Sequence, residues 1–178
     1  MAKRFSGKQD VVFDLFSQPF PNYLNGNTTL AWECFRDGGP MPGLDMDAAG
    51  MQSVLNAVRG TGATNVVMVA GVSYGSDLSR WLDYAPVDPL GQLMASVHLF
   101  NYNECHTEEC WDRTLLPIIQ KVPLIVAEYG LNDCASDHMS KVAAWISKNG
   151  LSHFPANALD DSCKAYDYRG LCACTPSF

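Results

Sequence analysis

Four apolar runs begin near residues 66, 94, 123 and 151, about 28 residues apart each time, with helix-like segments between them. A strand, a helix and the return to the next strand take about that length, so the spacing predicts repeated βα units. Sequential βα units join parallel strands through right-handed crossovers. An earlier run over residues 10–16 supplies a fifth strand. A closed barrel of eight such units takes about 250 residues, and this chain has 178. The expectation is an α/β fold: one domain over residues 1–178, a partial (β/α) barrel of about five parallel strands. Either the sheet stays open, its outer strands covered by a long loop and the C-terminal tail, or a second copy pairs with the bare edges as a homodimer.

Within that frame, residues 20–46 read as a long loop rich in Gly, Pro and Asn, interrupted by the aromatic stretch Trp32-Glu33-Cys34-Phe35. Loops of that length are more often functional than idle, which makes Trp32 a candidate for ligand stacking. Asp47 reads as the N-cap of a helix carrying Met51, Val54, Leu55 and Val58, with Gly60 as its stop. Further helices are expected around 77–82, 111–120 and 136–148. Trp81, Trp111 and Trp145 fall on them as packing residues, while His106, His138 and His153 read as surface or structural.

The run Val122 to Ala127 is apolar or small throughout and ends in Glu128, just before a turn at Gly130. In parallel α/β folds the carboxyl ends of the strands are where chemistry is done. Gln18, Tyr74, His98 and Glu128 all fall at strand ends and would share one rim. Glu128 and His98 are therefore the candidate catalytic residues, with Tyr74, Phe100 and Tyr102 beside them as candidate ligand contacts. A structural alternative makes Glu128 a member of an ion pair, and Tyr74 a loop anchor. Asp14 alternates inward on the first strand and reads as a hydrogen-bonded residue of the barrel interior.

Composition narrows the partners. The formal charge is −7 and no Lys/Arg cluster is available to neutralise phosphates, which argues against nucleic acid. No apolar run approaches the roughly 20 residues that span a bilayer. The first ten residues lack the apolar core of a signal peptide. Seven cysteines favour an oxidising compartment and at least two disulfides. A metal site from Cys105, His106 and Cys110 would lack a second ligand pair, so neither metal nor cofactor is expected.

Several segments, in order, resemble one family. Val11-Val12-Phe13-Asp14-Leu15-Phe16-Ser17-Gln18-Pro19, Gly50-Met51-Gln52 with residues 57–66, Ser96-Val97-His98-Leu99-Phe100-Asn101, and residues 123–130 with Asn132-Asp133-Cys134 look like the second half of a family-five glycoside hydrolase, the cellulase family. The likeness covers about residues 8–155 and implies the fourth to eighth units of a TIM (β/α) barrel. Secreted endoglucanases of the family have disulfides resembling Cys105–Cys110 and Cys134–Cys163, which implies an extracellular protein.

The resemblance also implies a mechanism. Family members retain configuration, with one carboxylate as nucleophile and a second as acid/base. Glu128 matches the nucleophile, but Gln18 stands where the acid/base Glu belongs, and an amide cannot donate the proton. Two further departures are His98-Leu99-Phe100, which lacks the family's tyrosine hydroxyl, and Phe154-Pro155-Ala156-Asn157-Ala158, where a sugar-stacking tryptophan strand belongs. The first three units have no counterpart here. The expectation is a β-1,4-glucan hydrolase whose turnover is weak or lost. The alternative is a repurposed half-barrel that uses Glu128 as a lone acid or base on a small, less polar ligand, or that only binds.

Overall fold

The computed structural model describes residues 1–21, 28–40, 45–131 and 137–153. After a short helix α1 (Ala2–Phe5) and strand β1 (Phe13–Asp14), helix α2 (Thr28–Asp37) leads into a hairpin of β2 (Gly38–Pro40) and β3 (Asp47–Ala49). Next come α3 (Met51–Arg59), β4 (Val67–Ala70), a single turn α4 (Val72–Gly75) and α5 (Trp81–Tyr84). The chain continues through β5 (Leu93–Phe100), α6 (Glu108–Ile119), β6 (Leu124–Gly130), α7 (Asp137–Lys148) and β7 (Ser152–His153).

Five of these strands form one sheet in the order β1-β4-β5-β6-β7, every neighbouring pair parallel. The 28-residue spacing is thus a βα repeat. The central strands are continuous apolar runs because helices cover the face presented by Val67, Val69, Ala95, Val97, Leu99, Leu124 and Val126. Against that face pack Leu55, Trp81, Trp111, Leu115, Ile118, Val142, Trp145 and Ile146. Trp81, Trp111 and Trp145 also satisfy their indole N–H groups, on Val69 O, Cys105 O and Asp112 Oδ1 respectively. The opposite, inner face is open toward β1, where Val12 is 45% and Phe16 58% exposed. Strand β1 is two residues long and, among the described residues, pairs on one side alone.

Three sequence expectations need correction. The stretch from 20 to 46 is not a featureless loop, since Ala31, Trp32, Cys34 and Phe35 form the buried stripe of α2. Trp32 is only 1% exposed and packs against Phe35 and Tyr84, so it is a core residue and has no ring face to offer a ligand. Asp47 is not a helix cap: it pairs with Pro40 in the hairpin, and α3 starts after Gly50, where a side chain would run into the backbone of Arg36 and Asp37.

Candidate active site

Glu128 and His98 lie opposite each other on β6 and β5. This pairing depends on an irregularity. Val97 pairs with Val126 but His98 pairs with Glu128, leaving Ala127 as a surplus residue. Strict alternation would put Glu128 on the same face as Leu124 and Val126, in the apolar core. The bulge turns it to the inner face, beside His98, and returns Tyr129 to the core side with Leu99.

His98 is 1% exposed and its Nδ1 stands 3.7 Å from Glu128 Oε2, whose side chain is 35% exposed. That separation is an electrostatic contact rather than a hydrogen bond. Burial pushes the imidazole pKa below its ordinary value, opposed by the Glu128 charge and by a hydrogen bond to the Tyr74 backbone carbonyl. Asn103 Nδ2 donates to the His98 carbonyl at 2.9 Å, and the Asn103 carbonyl lies 2.8 Å from the His106 ring, so the loop after β5 holds the strand end in place.

The third wall is α4, where Ser73, Tyr74 and Gly75 are all left-handed, with φ of 54°, 59° and 79°. Left-handed backbone is costly for Ser and Tyr and tends to persist at functional positions. A β-carbon on Gly75 would sit 3.0 Å from His98 Nδ1 and 2.9 Å from the Ser17 carbonyl oxygen. Tyr74 N–H donates to the Pro19 carbonyl at 3.0 Å, and the Tyr74 ring stacks on Phe20 at 4.2 Å. The segment carrying Gln18 is thus clamped, on both sides of that residue, to the turn that touches His98. Gln18 itself is exposed.

Phe100 and Tyr102 stack on each other, 5.2 Å apart, beyond the end of β5. Cys105 and Cys110 are disulfide-bonded, which ties this loop to the start of α6 and uses both thiols that a metal site would need. Residues 134, 154–158 and 163 lie outside the described residues, and with them the Cys134–Cys163 pairing and the expected replacement for the stacking strand. His138, by contrast, is a buried structural residue with Nε2 3.2 Å from the Leu99 carbonyl.

Two further residues stand near this rim. Phe20 stacks on Tyr74, and an aromatic directly after Pro19 is its signal in the sequence. Asp14, expected as a hydrogen-bonded residue of the barrel interior, is exposed on β1, and the Glu128 charge is among the causes that raise its pKa.

Parallel strands that end in a carboxylate, an imidazole and aromatic rings define an α/β half-barrel with its site at the carboxyl edge of the sheet. The chain belongs to the cellulase family, glycosyl hydrolase family 5, whose model matches residues 1–162. Its fold is similar to a β-glucanase from Saccharophagus degradans in complex with cellotetraose, at 16% identity and TM-score 0.61, over 86% of this chain and 47% of that one. It is also similar to the catalytic domain of a mannanase from Streptomyces sp. SirexAA-E, at 18% identity and TM-score 0.61, over 85% and 44%. An endo-β-1,4-glucanase from Xanthomonas axonopodis pv. citri aligns at 17% identity and TM-score 0.55, over 89% and 54%. The chain spans about half the length of these TIM-barrel enzymes. Comparison with curated proteins gave no match.

Proposed function

We propose that the chain binds β-1,4-linked glucan chains at the rim formed by β4, β5 and β6, with Glu128 as the nucleophilic carboxylate of a retaining glycosidase and Gln18 as its disabled acid/base. The observation that carries this reading is the contact chain Ser17–Gly75–His98–Glu128, which brings the Gln18 segment and the carboxylate to one ring. Burial lowers the His98 pKa and so disfavours a charged partner for Glu128; in this reading the half-exposed carboxylate oxygen attacks the anomeric carbon. The cello-oligosaccharides held by the neighbouring structures support a glucan as ligand, and in this reading Tyr74, Phe100 and Tyr102 contact it.

The amide of Gln18 can hold a glycosidic oxygen by hydrogen bond but cannot protonate it, which removes about 10²–10⁴-fold of rate on an unactivated leaving group. A leaving group that needs no proton bypasses the defect. The test is 2,4-dinitrophenyl β-cellobioside with added azide. Release of dinitrophenol, with formation of a β-cellobiosyl azide, is expected in the natural sequence and not in Glu128→Gln. Dinitrophenol release that survives Glu128→Gln would remove Glu128 from the chemistry.

A second reading, a pocket that only binds or that acts on a less polar ligand, is favoured by the exposed apolar inner wall around Val12 and Phe16. In that case cello-oligosaccharide would fail to bind at all. The compartment we propose is extracellular, in keeping with the Cys105–Cys110 disulfide.

A further inference from the structure

Residue 18 is held from both sides by a single turn. The Ser17 carbonyl packs so closely on Gly75 that a β-carbon there would stand 2.9 Å from its oxygen, and the Pro19 carbonyl accepts the Tyr74 N–H at 3.0 Å. Next along the chain, the Phe20 ring lies flat on the Tyr74 ring, with 4.2 Å between centroids and 12° between planes. Pro19 adds its own restraint, because its ring fixes φ and keeps the preceding residue out of the helical region. The turn that receives these contacts has a costly shape. Ser73 and Tyr74 both have left-handed backbone, at about 1 kcal/mol or more for each residue that is not glycine. The Ser76 and Asp77 N–H groups brace it on the carbonyls of Ser73 and Val72, and Ser76 Oγ donates to the Ser73 carbonyl at 2.7 Å. Filling the interior is not what the shape achieves, since Tyr74 is 54% exposed and Phe20 38%. What it achieves is a grip on the segment that carries Gln18.

We infer that Phe20 and Tyr74 are positioning residues for residue 18, their stacked rings and the Tyr74–Pro19 hydrogen bond fixing where the side chain at 18 meets a glycosidic oxygen. That role rests on Glu128 being the nucleophile and Gln18 the acid/base position. In a retaining site the two groups stand about 5 Å apart, and a misplacement of about 1 Å can cost about 10²-fold in rate. Glu128 is placed by strand register. Gln18 is exposed, with backbone contacts just before and just after it, so the clamp and not side-chain packing determines its place. Loosening the clamp therefore changes the distance between the two groups while the carboxylate stays where the sheet puts it. The consequence is selective by leaving group. A glucan, whose leaving oxygen needs the group at 18, depends on the clamp; an aryl glycoside whose leaving group departs without a proton does not.

The Gln18→Glu variant of the full chain gives the clamp an acid to position. In that background Phe20→Ala should lower kcat on soluble β-glucan by about 10–10²-fold, with KM changed less than about twofold. Cleavage of 2,4-dinitrophenyl β-cellobioside should stay as it was. Phe20→Leu, apolar but unable to stack, should behave as Phe20→Ala does, and Phe20→Tyr, which keeps the ring, should retain the Gln18→Glu rate. Amide hydrogen exchange followed by NMR reads the clamp without turnover: the Tyr74 N–H should be protected, and Phe20→Ala should speed its exchange by about tenfold or more. Full β-glucan activity in both Phe20→Ala and Phe20→Leu, or unchanged Tyr74 exchange, would overturn the assignment. Equal losses on the two substrates would overturn it as well, by making Phe20 a purely structural residue. Dinitrophenol release in every variant with no effect of Phe20 on β-glucan defeats the clamp alone, whereas no release in any variant defeats the hydrolase reading and the clamp with it.

Discussion

Gly75 lies so close to His98 that any β-carbon there would stand 3.0 Å from the ring nitrogen, on backbone already at φ 79°. The imidazole is buried and has no room to retreat. Gly75→Ala is therefore expected to destabilise the fold by about 1–3 kcal/mol and to displace the imidazole from Glu128. Thermal melting and the rate on dinitrophenyl cellobioside measure both effects, and a variant with unchanged melting and rate would show that the contact is loose.

Restoring the missing carboxyl should restore acid catalysis. Gln18→Glu is expected to raise reducing-sugar release from soluble β-glucan by about 10²–10⁴-fold over the natural sequence, while the rate on the dinitrophenyl substrate changes little. The double variant Gln18→Glu with Glu128→Gln should be inactive on both. No gain in Gln18→Glu would mean that the loop places residue 18 out of reach of the scissile bond.

The buried imidazole makes stability depend on pH. His98 binds a proton less readily in the folded chain than in the unfolded one, where its pKa is about 6.5. Below that value the unfolded state holds more protons, so stability falls as pH drops from about 6.5 toward the folded pKa. Asp14 works in the opposite sense: its raised pKa favours the folded state in acid, and that contribution is lost as pH rises through the folded value. Urea denaturation at pH 7 and pH 5 is expected to show a loss on acidification that is smaller in His98→Gln. An equal loss in both would assign the pH dependence elsewhere.

At the far end of the barrel, Arg59 grips Asp88 through two hydrogen bonds of 2.9 and 2.8 Å and donates to the carbonyls of Ala63 and Asn65. Asp88 in turn accepts from Leu90 and Gln92 N–H, and the Arg59 hydrogen bond, together with these two, holds its pKa below the usual range. Both side chains are buried, at 8% and 1% exposure. Arg59→Ala leaves a buried charge unpaired and should cost about 3–5 kcal/mol, read as a lower urea midpoint with no change in the slope. An effect below 1 kcal/mol would show that water replaces the guanidinium.

Exposed Val12 and Phe16, beside an edge strand with one partner, should drive self-association. Size-exclusion chromatography with light scattering is expected to give a dimer that Phe16→Lys converts to monomer. A monomer at all concentrations would remove the homodimer.

How much of this could be read in the sequence follows from how local each signal is. The parallel strands were visible because a strand buried on both faces leaves an unbroken apolar run, and Glu128 was visible as the charge that interrupts one. Helix α2 was hidden: flanking Gly, Pro and Asn made residues 20–46 look like loop, although Ala31, Trp32, Cys34 and Phe35 carry a helical stripe. The β2–β3 hairpin had no signal, since Gly38, Gly39 and Pro40 are poor strand formers and pair only because Gly50 lets α2 come close. Nor could the contact between Gly75 and His98 be foreseen, because it joins residues 23 positions apart through tertiary packing alone.

Ala127 has no partner on β5, and its presence decides which way its neighbour looks. Removing that one alanine would change no chemical group at the rim. It would nevertheless swing the Glu128 carboxyl in among leucines and tryptophans and bring the Tyr129 phenol out in its place. The direction of the acid is thus written in the parity of the count, and a one-residue slip would turn an accessible carboxylate into a charge sealed in oil.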